Sequence, residues 1–468
     1  MTKTPAQFIF SFLLAAAAAA APRTMRVDYY HTGNAAEERF AVDRVVLEPL
    51  EWPGNPSRPL DDSNLGKYFF EVRDAKTGEP VYSRGFASVF GEWETTGEAK
   101  ERLRTFSESL RFPAPSAPVR VVLRKRDASN SFRDVWSFPV DPADPFVDAG
   151  RPPSPGPLVT FEKHGTPAEK IDFVILGDGY TAAERGKFEK DARRLIDILF
   201  AVEPFKARRS DFNVWGLCPA SEESGISRPS TGVHRRSPVG ATYDTFGVER
   251  YVLTFENRAF RDVASFAPYE FVEILTNSKT YGGGGIFNLY STVAADSLWA
   301  PYVFVHEFGH HFAGLADEYY TSEVAYGTGG ERTEPWEPNA TALHDPKNVK
   351  WKELVTPGTP IPTTWPKSRF EEASRGYQNR RKELRAARAP EEKMDELFTE
   401  EKVFMTKLLD GDPSAGKVGA FEGALYEAKG YYRPQIDCIM FTRDDVPFCA
   451  VCRRAIETVM NLYTKAGR

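Results

Sequence analysis

Residues 306–310 read His-Glu-Phe-Gly-His and follow an apolar lead-in at 300–305, Ala-Pro-Tyr-Val-Phe-Val. On a helix, residues four apart share one face, so His306 and His310 can bind one metal ion through their imidazole nitrogens. Glu307 lies beside this pair, where its carboxylate can accept a proton from metal-bound water. Three of the seven His of the chain fall within this short segment and the residue after it, which favours a zinc site over an accidental pair on a core or solvated face.

The segment after this predicted helix supplies a third candidate ligand. In the metzincin pattern, a Gly three residues after the second His ends the helix, and a third ligand follows three residues later. Here Ala313 occupies that Gly position and Gly314 comes one residue late, with Asp317 three residues beyond it. Because a left-handed Gly commonly ends a helix and turns the chain, we predict Asp317 as the third ligand. Glu318 is the alternative, because one extra residue rotates the frame by about 100° on a helix.

A second metzincin feature lies downstream, where residues 438–440 read Cys-Ile-Met. A Met-bearing turn forms an apolar floor beneath the metal ligands in metzincins, and Met440 fits that role. The alternative is an ordinary core Met, but two linked pattern elements together favour the Met-turn. Peptide hydrolysis also needs a hydrogen-bond donor for the oxyanion, and Tyr431 or Tyr432 is a candidate.

Three of the four cysteines cluster near the C-terminus, at Cys438, Cys449 and Cys452. They could hold a second, structural zinc, or form a disulfide that pins the Met-turn to a C-terminal helix. A structural zinc usually takes four ligands, and the fourth would have to be the distant Cys218 or a His. In an exported protein a disulfide is favoured, and we expect Cys438 to bond one of the two later cysteines.

Four consecutive glycines, Gly282, Gly283, Gly284 and Gly285, follow a strand-like apolar segment at 271–276. Such a run is too permissive for a core element. It is either a flexible turn or a Gly-rich edge over the cleft, where an extended peptide could pair through its backbone. The sequence alone favours neither interpretation.

The chain of 468 residues is too long for one core. Residues 25–145 carry β-branched and aromatic segments bounded by turn residues, which predicts an N-terminal β-sandwich domain with an accessory role. Residues 146–165 are Pro-rich and are predicted as an extended linker. Residues 166–468 are predicted as the catalytic domain, a mixed sheet packed with helices, with a charged helical insert at about 366–408. The predicted fold class is α+β, a β-sandwich followed by a metzincin-like zinc-peptidase domain.

Residues 1–22 combine a basic Lys3 with an apolar run from Phe8 to Ala21, which is typical of a signal peptide. The run of about fourteen residues is shorter than the roughly twenty that span a membrane. We therefore expect a secreted or periplasmic protein with no stable membrane insertion after signal cleavage. A net charge of −6 with interspersed signs gives no nucleic-acid footprint.

Three segments together resemble the IgA peptidase family of secreted metallo-endopeptidases. They are residues 306–320 (His-Glu-Phe-Gly-His-x-Phe-Ala-Gly-Leu-Ala-Asp-Glu-Tyr-Tyr), residues 281–286 (Tyr-Gly-Gly-Gly-Gly-Ile) and residues 432–452, which contain Tyr-Arg-Pro, Asp-Cys-Ile-Met and Phe-Cys-x-Val-Cys. The resemblance covers nearly the whole mature chain, since residues 25–145 are also similar to the N-terminal β domain of that family.

The resemblance implies a zinc endopeptidase with one catalytic Zn²⁺, in which His306, Glu307 and His310 have their usual roles and the substrate is a protein or peptide. It does not imply cleavage of IgA, which belongs to the type member of the family. Two other classes of function stay open: a zinc amidase acting on a non-protein amide, and a non-catalytic binding protein with a vestigial site. The intact Glu307 argues against the binding protein.

Overall fold

A computed structural model describes residues 21–322 and 332–464, so the predicted signal peptide lies outside the described residues except for its last two positions. The strands of the N-terminal unit are β1 (Arg23–Gly33), β2 (Glu38–Glu51), β3 (Tyr68–Asp74), β4 (Pro80–Phe86), β5 (Arg104–Pro113), β6 (Val119–Arg126) and β7 (Phe132–Val140). They form two antiparallel sheets, ordered β2-β1-β5 and β4-β3-β6-β7.

The two N-terminal sheets share one apolar core. Val27 and Phe112 of the first sheet belong to the same buried cluster as Phe70 and Leu123 of the second. Successive side chains of a strand point to opposite faces, so the alternating residues of each strand supply this core. A short helix, α1 (Val89–Trp93), follows β4 and is capped by the side chain of Ser88.

The strands of the second unit are β8 (Val159–Glu162), β9 (Ile171–Asp178), β10 (Phe212–Leu217), β11 (Ala241–Thr242), β12 (Leu253–Thr254), β13 (Phe271–Thr276), β14 (Gly283–Ile286), β15 (Tyr290–Ala294), β16 (Phe421–Ala424) and β17 (Glu427–Arg433). Six of them form a mixed sheet ordered β14-β15-β13-β9-β10-β8. The four central strands are parallel, and both edge strands are antiparallel to their neighbours. Every residue of β9, β10 and β13 is buried, as expected for parallel strands covered on both faces.

The longer helices are α2 (Arg185–Leu199), α3 (Asn257–Ala264), α4 (Ala300–Ala313), α5 (Lys367–Ala386), α6 (Glu391–Asp410) and α7 (Ala450–Tyr463). Helix α4 packs on β14 and β15 and also contacts α2 and α7. A β-sandwich therefore precedes a mixed sheet with packed helices, which confirms the predicted α+β class. Within the described residues, no helix has both the length and the apolar character that crossing a membrane requires.

Part of the predicted linker is a strand. Residues 146–165 were expected to be extended and unpaired, but Val159–Glu162 forms β8 at the edge of the mixed sheet, antiparallel to β10. The Pro-rich stretch ends just before it, and the ring of Phe161 packs on Phe188, with centroids 6.4 Å apart. Earlier in the linker, Asp148 exchanges backbone hydrogen bonds of 2.8 Å with Val45 and Leu47. The connection is thus tied to both units.

The charged segment predicted as an insert forms α5 and α6, which pack against each other. Phe398 of α6 packs on Tyr281 and Trp299, with ring centroids 5.0 Å and 5.8 Å away. An apolar stripe on α6 therefore fixes the pair to the second unit, while most of the charged residues of α6 lie away from that contact.

The two units pack firmly on each other. The backbone N–H of Ala87 donates to the carbonyl of Phe287, and the guanidinium of Arg111 donates to the carbonyl of Tyr269, both at 2.9 Å. Trp93 of the N-terminal unit is fully buried within the apolar cluster of the second unit. Because the interface contains both core packing and hydrogen bonds, the N-terminal unit holds a fixed position beside the cleft.

Candidate active site

Helix α4 carries the first two candidate ligands. Pro301 lies in its first turn, where a missing N–H costs nothing, and the helix ends at Gly314, whose φ of 59° is left-handed. Phe308 and Phe312 lie on the face toward the sheet, where Phe308 packs on Phe173 with centroids 4.8 Å apart. Burial of this apolar face fixes the rotation of the helix and leaves the imidazoles of the motif on the other side.

Three acceptor atoms from the motif and its tail meet at one point. Nε2 of His306 lies 3.0 Å from Oδ1 of Asp317, and Nε2 of His310 lies 3.2 Å from the same oxygen. The two Nε2 atoms are 3.2 Å apart. Ligands at about 2.0–2.1 Å from a tetrahedral zinc are separated by roughly 3.3 Å, so the spacing matches such a site.

The hydrogen bonds on the far side of each ring fix its tautomer. Nδ1 of His306 lies 2.9 Å from the carbonyl of Ile439, and Nδ1 of His310 lies 2.5 Å from the carbonyl of Leu315. A carbonyl only accepts, so Nδ1 carries the proton in both rings, and Nε2 presents a lone pair when the ring is neutral. Two imidazole lone pairs and a carboxylate oxygen then face one another, an arrangement that a cation between them stabilises. The residues present thus fit a divalent metal.

Asp317 and Glu318 occupy different environments. Oδ2 of Asp317 accepts a hydrogen bond from the hydroxyl of Tyr426, while its Oδ1 faces the imidazoles. The side chain of Glu318 is fully buried and points to the three clustered cysteines instead. The structure therefore places Asp317, and not the alternative Glu318, beside His306 and His310.

Glu307 lies at the edge of the candidate metal site. A carboxylate oxygen of Glu307 is within 4.8 Å of the ligand nitrogens of His306 and His310, which leaves room for a water molecule between them. Burial raises the pKa of this carboxyl above its ordinary value, and the two neighbouring imidazoles act in the opposite direction. The Glu307 carboxylate thus lies close to the two imidazoles, at the edge of the candidate metal site.

Met440 lies beneath helix α4 and is fully buried. A Cβ added to Gly309, in the middle of the motif, would stand 3.1 Å from its sulfur. The carbonyl of Met440 accepts the backbone N–H of Glu318 at 2.9 Å. Met440 thus contacts both the helix and the segment that carries Asp317, in the place where a Met-turn is expected.

The expected disulfide is absent, because Cys438, Cys449 and Cys452 are all free thiols. The sulfurs of Cys438 and Cys452 are 3.9 Å apart, whereas a disulfide bond is about 2.05 Å long. All three side chains are buried. The fourth side chain that meets these three is Glu318, whereas Cys218 or a His was the expected candidate for a fourth ligand.

The glycine run is not a flexible turn. Residues Gly283–Ile286 form the edge strand β14. Its glycines allow close approach to α4, since a Cβ on Gly285 would lie 2.3 Å from the carbonyl oxygen of Glu307. On the outer side of the strand, the N–H of Gly283 donates to the carbonyl of Arg250 and its carbonyl accepts the N–H of Val252, both at 3.1 Å. Gly285, two residues along, faces the same side.

The two predicted tyrosines lie in different surroundings, and a third tyrosine joins the site. The hydroxyl of Tyr431 donates to the carbonyl of Thr333 at 3.2 Å, and its side chain lines the cleft. Tyr432 pairs through its backbone with Thr341, and among the described residues it is not part of the cleft lining. Tyr426, which contacts Asp317, was not among the predicted site residues.

Tyr426 is held in an unusual turn. It forms the two-residue connection between β16 and β17 together with Leu425, and both residues have positive φ, at 64° and 51°. Such turns normally carry Asn and Gly, so Leu-Tyr in this place is strained and has no sequence signature. The backbone N–H of Leu425 donates to the carbonyl of Asp317 at 3.0 Å, so the turn also fixes the ligand segment.

A cavity of about 460 Å³ opens in front of these residues. The catalytic unit supplies the side chains of Glu307, His310, Asp317, Tyr426, Tyr431 and Trp336, and the outer face of Gly283 and Gly285. The N-terminal unit supplies the opposite wall, with Lys67, Glu92, Thr95, Arg126, Asp127 and Asn130. A substrate in this cavity would therefore contact both units.

Comparison with known families agrees with this architecture. A family model described as IgA Peptidase M64 matches residues 159–460, and one described as Peptidase M64 N-terminus matches residues 17–137. The chain belongs to the IgA peptidase M64 family. The resemblance seen in its motifs is thereby confirmed, and the chain is a peptidase of a metallopeptidase family that acts on protein or peptide substrates. No curated protein matches the chain closely enough to be compared with it.

The two M64 matches correspond to the two units of the structure. The peptidase match contains helix α4, the segment with Asp317 and the turn with Met440, and the N-terminal match contains the strands from β1 to most of β7. The cleft thus lies between the two matched regions, with candidate metal ligands on the peptidase side.

Proposed function

We propose that the chain is a secreted, zinc-dependent endopeptidase in which Glu307 is the general base. The observation that carries this proposal is the meeting of three acceptor atoms, from His306, His310 and Asp317, at the floor of an open cavity. Zinc is the metal that this nitrogen and oxygen donor set favours with tetrahedral geometry and an open fourth position.

The protein groups around this position have separate tasks. His306, His310 and Asp317 would hold the ion, which supplies a water of lowered pKa and polarises the scissile carbonyl when bound. Glu307 takes the proton of that water on its carboxylate and passes it to the leaving amine. Tyr426 keeps Oδ1 of Asp317 turned toward the imidazoles, because its hydroxyl occupies Oδ2.

The substrate is proposed to bind as an extended peptide along β14. An edge strand offers its outward peptide groups to a partner strand, and Gly285 presents such groups beside Glu307. Of the two tyrosines predicted as oxyanion donors, Tyr431 lines the cleft, and we assign that role to it and not to Tyr432. The walls of the cleft from the N-terminal unit then contribute to substrate selection.

Export rests on the sequence of residues 1–22, with its basic start and short apolar run. A mature protein that begins after this segment would work in a secreted or periplasmic location. Peptide substrates from outside the cell would then reach the cleft.

The decisive experiment compares wild type with Glu307→Gln in zinc content and in cleavage of casein or gelatin. Gln keeps the size of the side chain but cannot accept a proton, so hydrolysis is expected to fall by about 10³-fold, within the usual range for a general base. Zinc should stay bound in the variant. Full activity of Glu307→Gln, or a wild type without zinc, would refute the proposal.

Glu273→Gln is the matched control. Glu273 is also a fully buried carboxyl, on β13 behind the motif helix, and burial raises its pKa well above the ordinary value. Burial thus favours the uncharged carboxyl, and the hydroxyl of Ser291 donates a hydrogen bond to it, an arrangement that Gln imitates. This variant is expected to keep both zinc and activity, so a loss specific to Glu307→Gln reports on the base and not on a buried charge.

A further inference from the structure

A second cluster of metal-binding side chains lies behind the candidate catalytic site. Cys438 comes from the turn that carries Met440, Cys449 and Cys452 from the start of α7, and Glu318 from the segment after α4. One ligand atom of each lies within 4.8 Å of those of the other three. All four residues are buried, with at most 4% of their surface exposed.

The separations within this cluster are those of ligands around one ion. The sulfurs of Cys438 and Cys452 are 3.9 Å apart, and the sulfur of Cys452 is 3.5 Å from Oε1 of Glu318. Around a tetrahedral zinc with Zn–S of about 2.3 Å and Zn–O of about 2.1 Å, the corresponding separations are roughly 3.8 Å and 3.6 Å. A disulfide would require about 2.05 Å between sulfurs, with rearrangement of a closely packed region.

The carboxylate of Glu318 is only partly satisfied by the protein. Its Oε1 accepts a hydrogen bond of 2.9 Å from Asn339, but among the described residues Oε2 has no hydrogen-bond partner. A buried carboxylate oxygen without a donor is costly unless a cation is close to it. A cation bound at this carboxylate would offset that cost.

Backbone N–H groups point at two of the sulfurs, as they do in metal sites with thiolate ligands. The backbone N–H of Cys449 points at the sulfur of Cys438 at 3.2 Å, and the N–H of Cys452 points at the sulfur of Cys449 at 3.4 Å. Cys449 is also the N-cap of α7, where the helix dipole favours negative charge. The fully buried guanidinium of Arg433 interacts electrostatically with Glu318 and Cys438 and offsets part of the remaining negative charge.

We propose that Cys438, Cys449, Cys452 and Glu318 bind a second zinc ion with a structural role. Three soft thiolates select zinc over the hard cations that prefer oxygen ligands. Four protein ligands in a buried cluster leave no position for a catalytic water, which is the character of a structural site.

The second ion ties together the parts that build the catalytic site. Glu318 follows Asp317 directly, and Cys438 immediately precedes Ile439, whose carbonyl holds the ring of His306. The ion would therefore fix the ligand segment and the Met440 turn to the start of α7. This role does not depend on the identity of the catalytic residues, so it can be tested separately from the proposed activity.

The first test is on the wild-type protein. We expect about two zinc ions per chain by mass spectrometry of the metal, and four titratable thiols after denaturation with a chelator and without a reductant. Replacement of zinc by Co²⁺ should produce a strong near-ultraviolet thiolate-to-cobalt charge-transfer band, which the nitrogen and oxygen ligands of the catalytic site cannot give. A disulfide between any two of Cys438, Cys449 and Cys452, or a cobalt protein without this band, would overturn the proposal.

Variants then assign the ion to its ligands. The double variant Cys449→Ser/Cys452→Ser is expected to contain one zinc ion fewer than wild type and to lose the charge-transfer band. Cys218→Ser, at the one cysteine outside the cluster, should keep both. If the double variant does not fold, Glu318→Gln provides the second variant, in which we expect the band to persist and the ion to exchange at least tenfold faster. Unchanged metal content in the double variant, or unchanged exchange in Glu318→Gln, contradicts the assignment.

Discussion

Asp317 and Glu318 are consecutive residues, yet their carboxylates face two different clusters. Asp317 joins two imidazoles at the floor of a large cavity, whereas Glu318 joins three cysteines in the protein interior. The first cluster is built from nitrogen and oxygen with open space in front of it, and the second from sulfur and oxygen with none. The difference separates a site arranged for exchange of water and substrate from one arranged for permanence.

Despite this difference each carboxylate has a neighbouring donor that holds its direction. Tyr426 donates to Oδ2 of Asp317, the oxygen away from the imidazoles, and Asn339 donates to Oε1 of Glu318, the oxygen that also lies near Cys452. The two clusters also share the segment between Gly314 and Tyr320, so a change in the structure of one cluster can affect the other. Variants that affect one site alone show how far the two clusters are independent.

The largest difference between the effects on the two metal sites is expected from His310→Ala. Loss of this ligand should remove the catalytic ion and lower activity by about 10⁴-fold, which is roughly 5.4 kcal/mol of transition-state stabilisation. The thiolate-bound ion should stay, so metal analysis of the variant should find one zinc per chain. Loss of both ions in a folded variant would show that the two sites are not independent.

His311→Gln is the control for this change. His311 is adjacent in sequence but points into the core, where Nδ1 faces the carbonyl of Ile286 at 3.1 Å and Nε2 accepts the N–H of Val272 at 3.0 Å. Its loss is expected to lower the free energy of unfolding by about 1–3 kcal/mol through unsatisfied buried groups, while both ions remain. Thermal unfolding and metal content measured together distinguish the two histidines.

A smaller effect, limited to the open site, is expected from Tyr431→Phe. If the hydroxyl stabilises the oxyanion, its removal lowers kcat by about 10²-fold and leaves the content of both metals unchanged. Tyr432→Phe is the matched control, because this neighbouring side chain is not part of the described cleft lining. Equal turnover of the two variants would take Tyr431 out of the mechanism.

The short-range parts of this architecture were predictable from sequence. The H-E-x-x-H helix, its end at Gly314 and the return of the chain at Asp317 depend on periodicity and on the conformational freedom of one glycine, which are local properties. The largely apolar segment at 271–276 likewise forms a buried strand. In these places local preference and tertiary structure agree.

The parts that were missed depend on contacts between distant residues. Glu318 lies more than a hundred residues before the cysteines that it joins, and no spacing rule connects a carboxylate to a distant Cys-x-x-Cys pair. The strand at 159–162 follows a Pro-rich stretch and exists because β10 offers it a free edge. Tyr426 occupies a turn whose residues do not suit its geometry, so only the tertiary structure reveals it.

The smallest expected effects come from the two donors that orient the carboxylates, and they test the comparison most directly. Tyr426→Phe removes the hydroxyl at Oδ2 of Asp317 and is expected to weaken binding of the catalytic ion by about 10-fold, as is typical of groups behind metal ligands. Asn339→Ala removes the donor at Oε1 of Glu318 and should weaken the thiolate-bound ion by a similar factor.

Dialysis of the cobalt-substituted proteins against graded chelator measures both affinities, since only the buried ion gives the thiolate band. Tyr426→Phe should lose the catalytic ion at a lower chelator concentration than wild type and should keep the thiolate charge-transfer band. Asn339 also bonds the backbone of Ala316, through its amide oxygen at 2.7 Å and its nitrogen at 3.0 Å. Asn339→Ala should therefore lose the thiolate-bound ion at the lowest chelator concentration and the catalytic ion at a higher one. The reverse order in either variant would mean that the carboxylates of Asp317 and Glu318 do not divide the two ions as their contacts indicate.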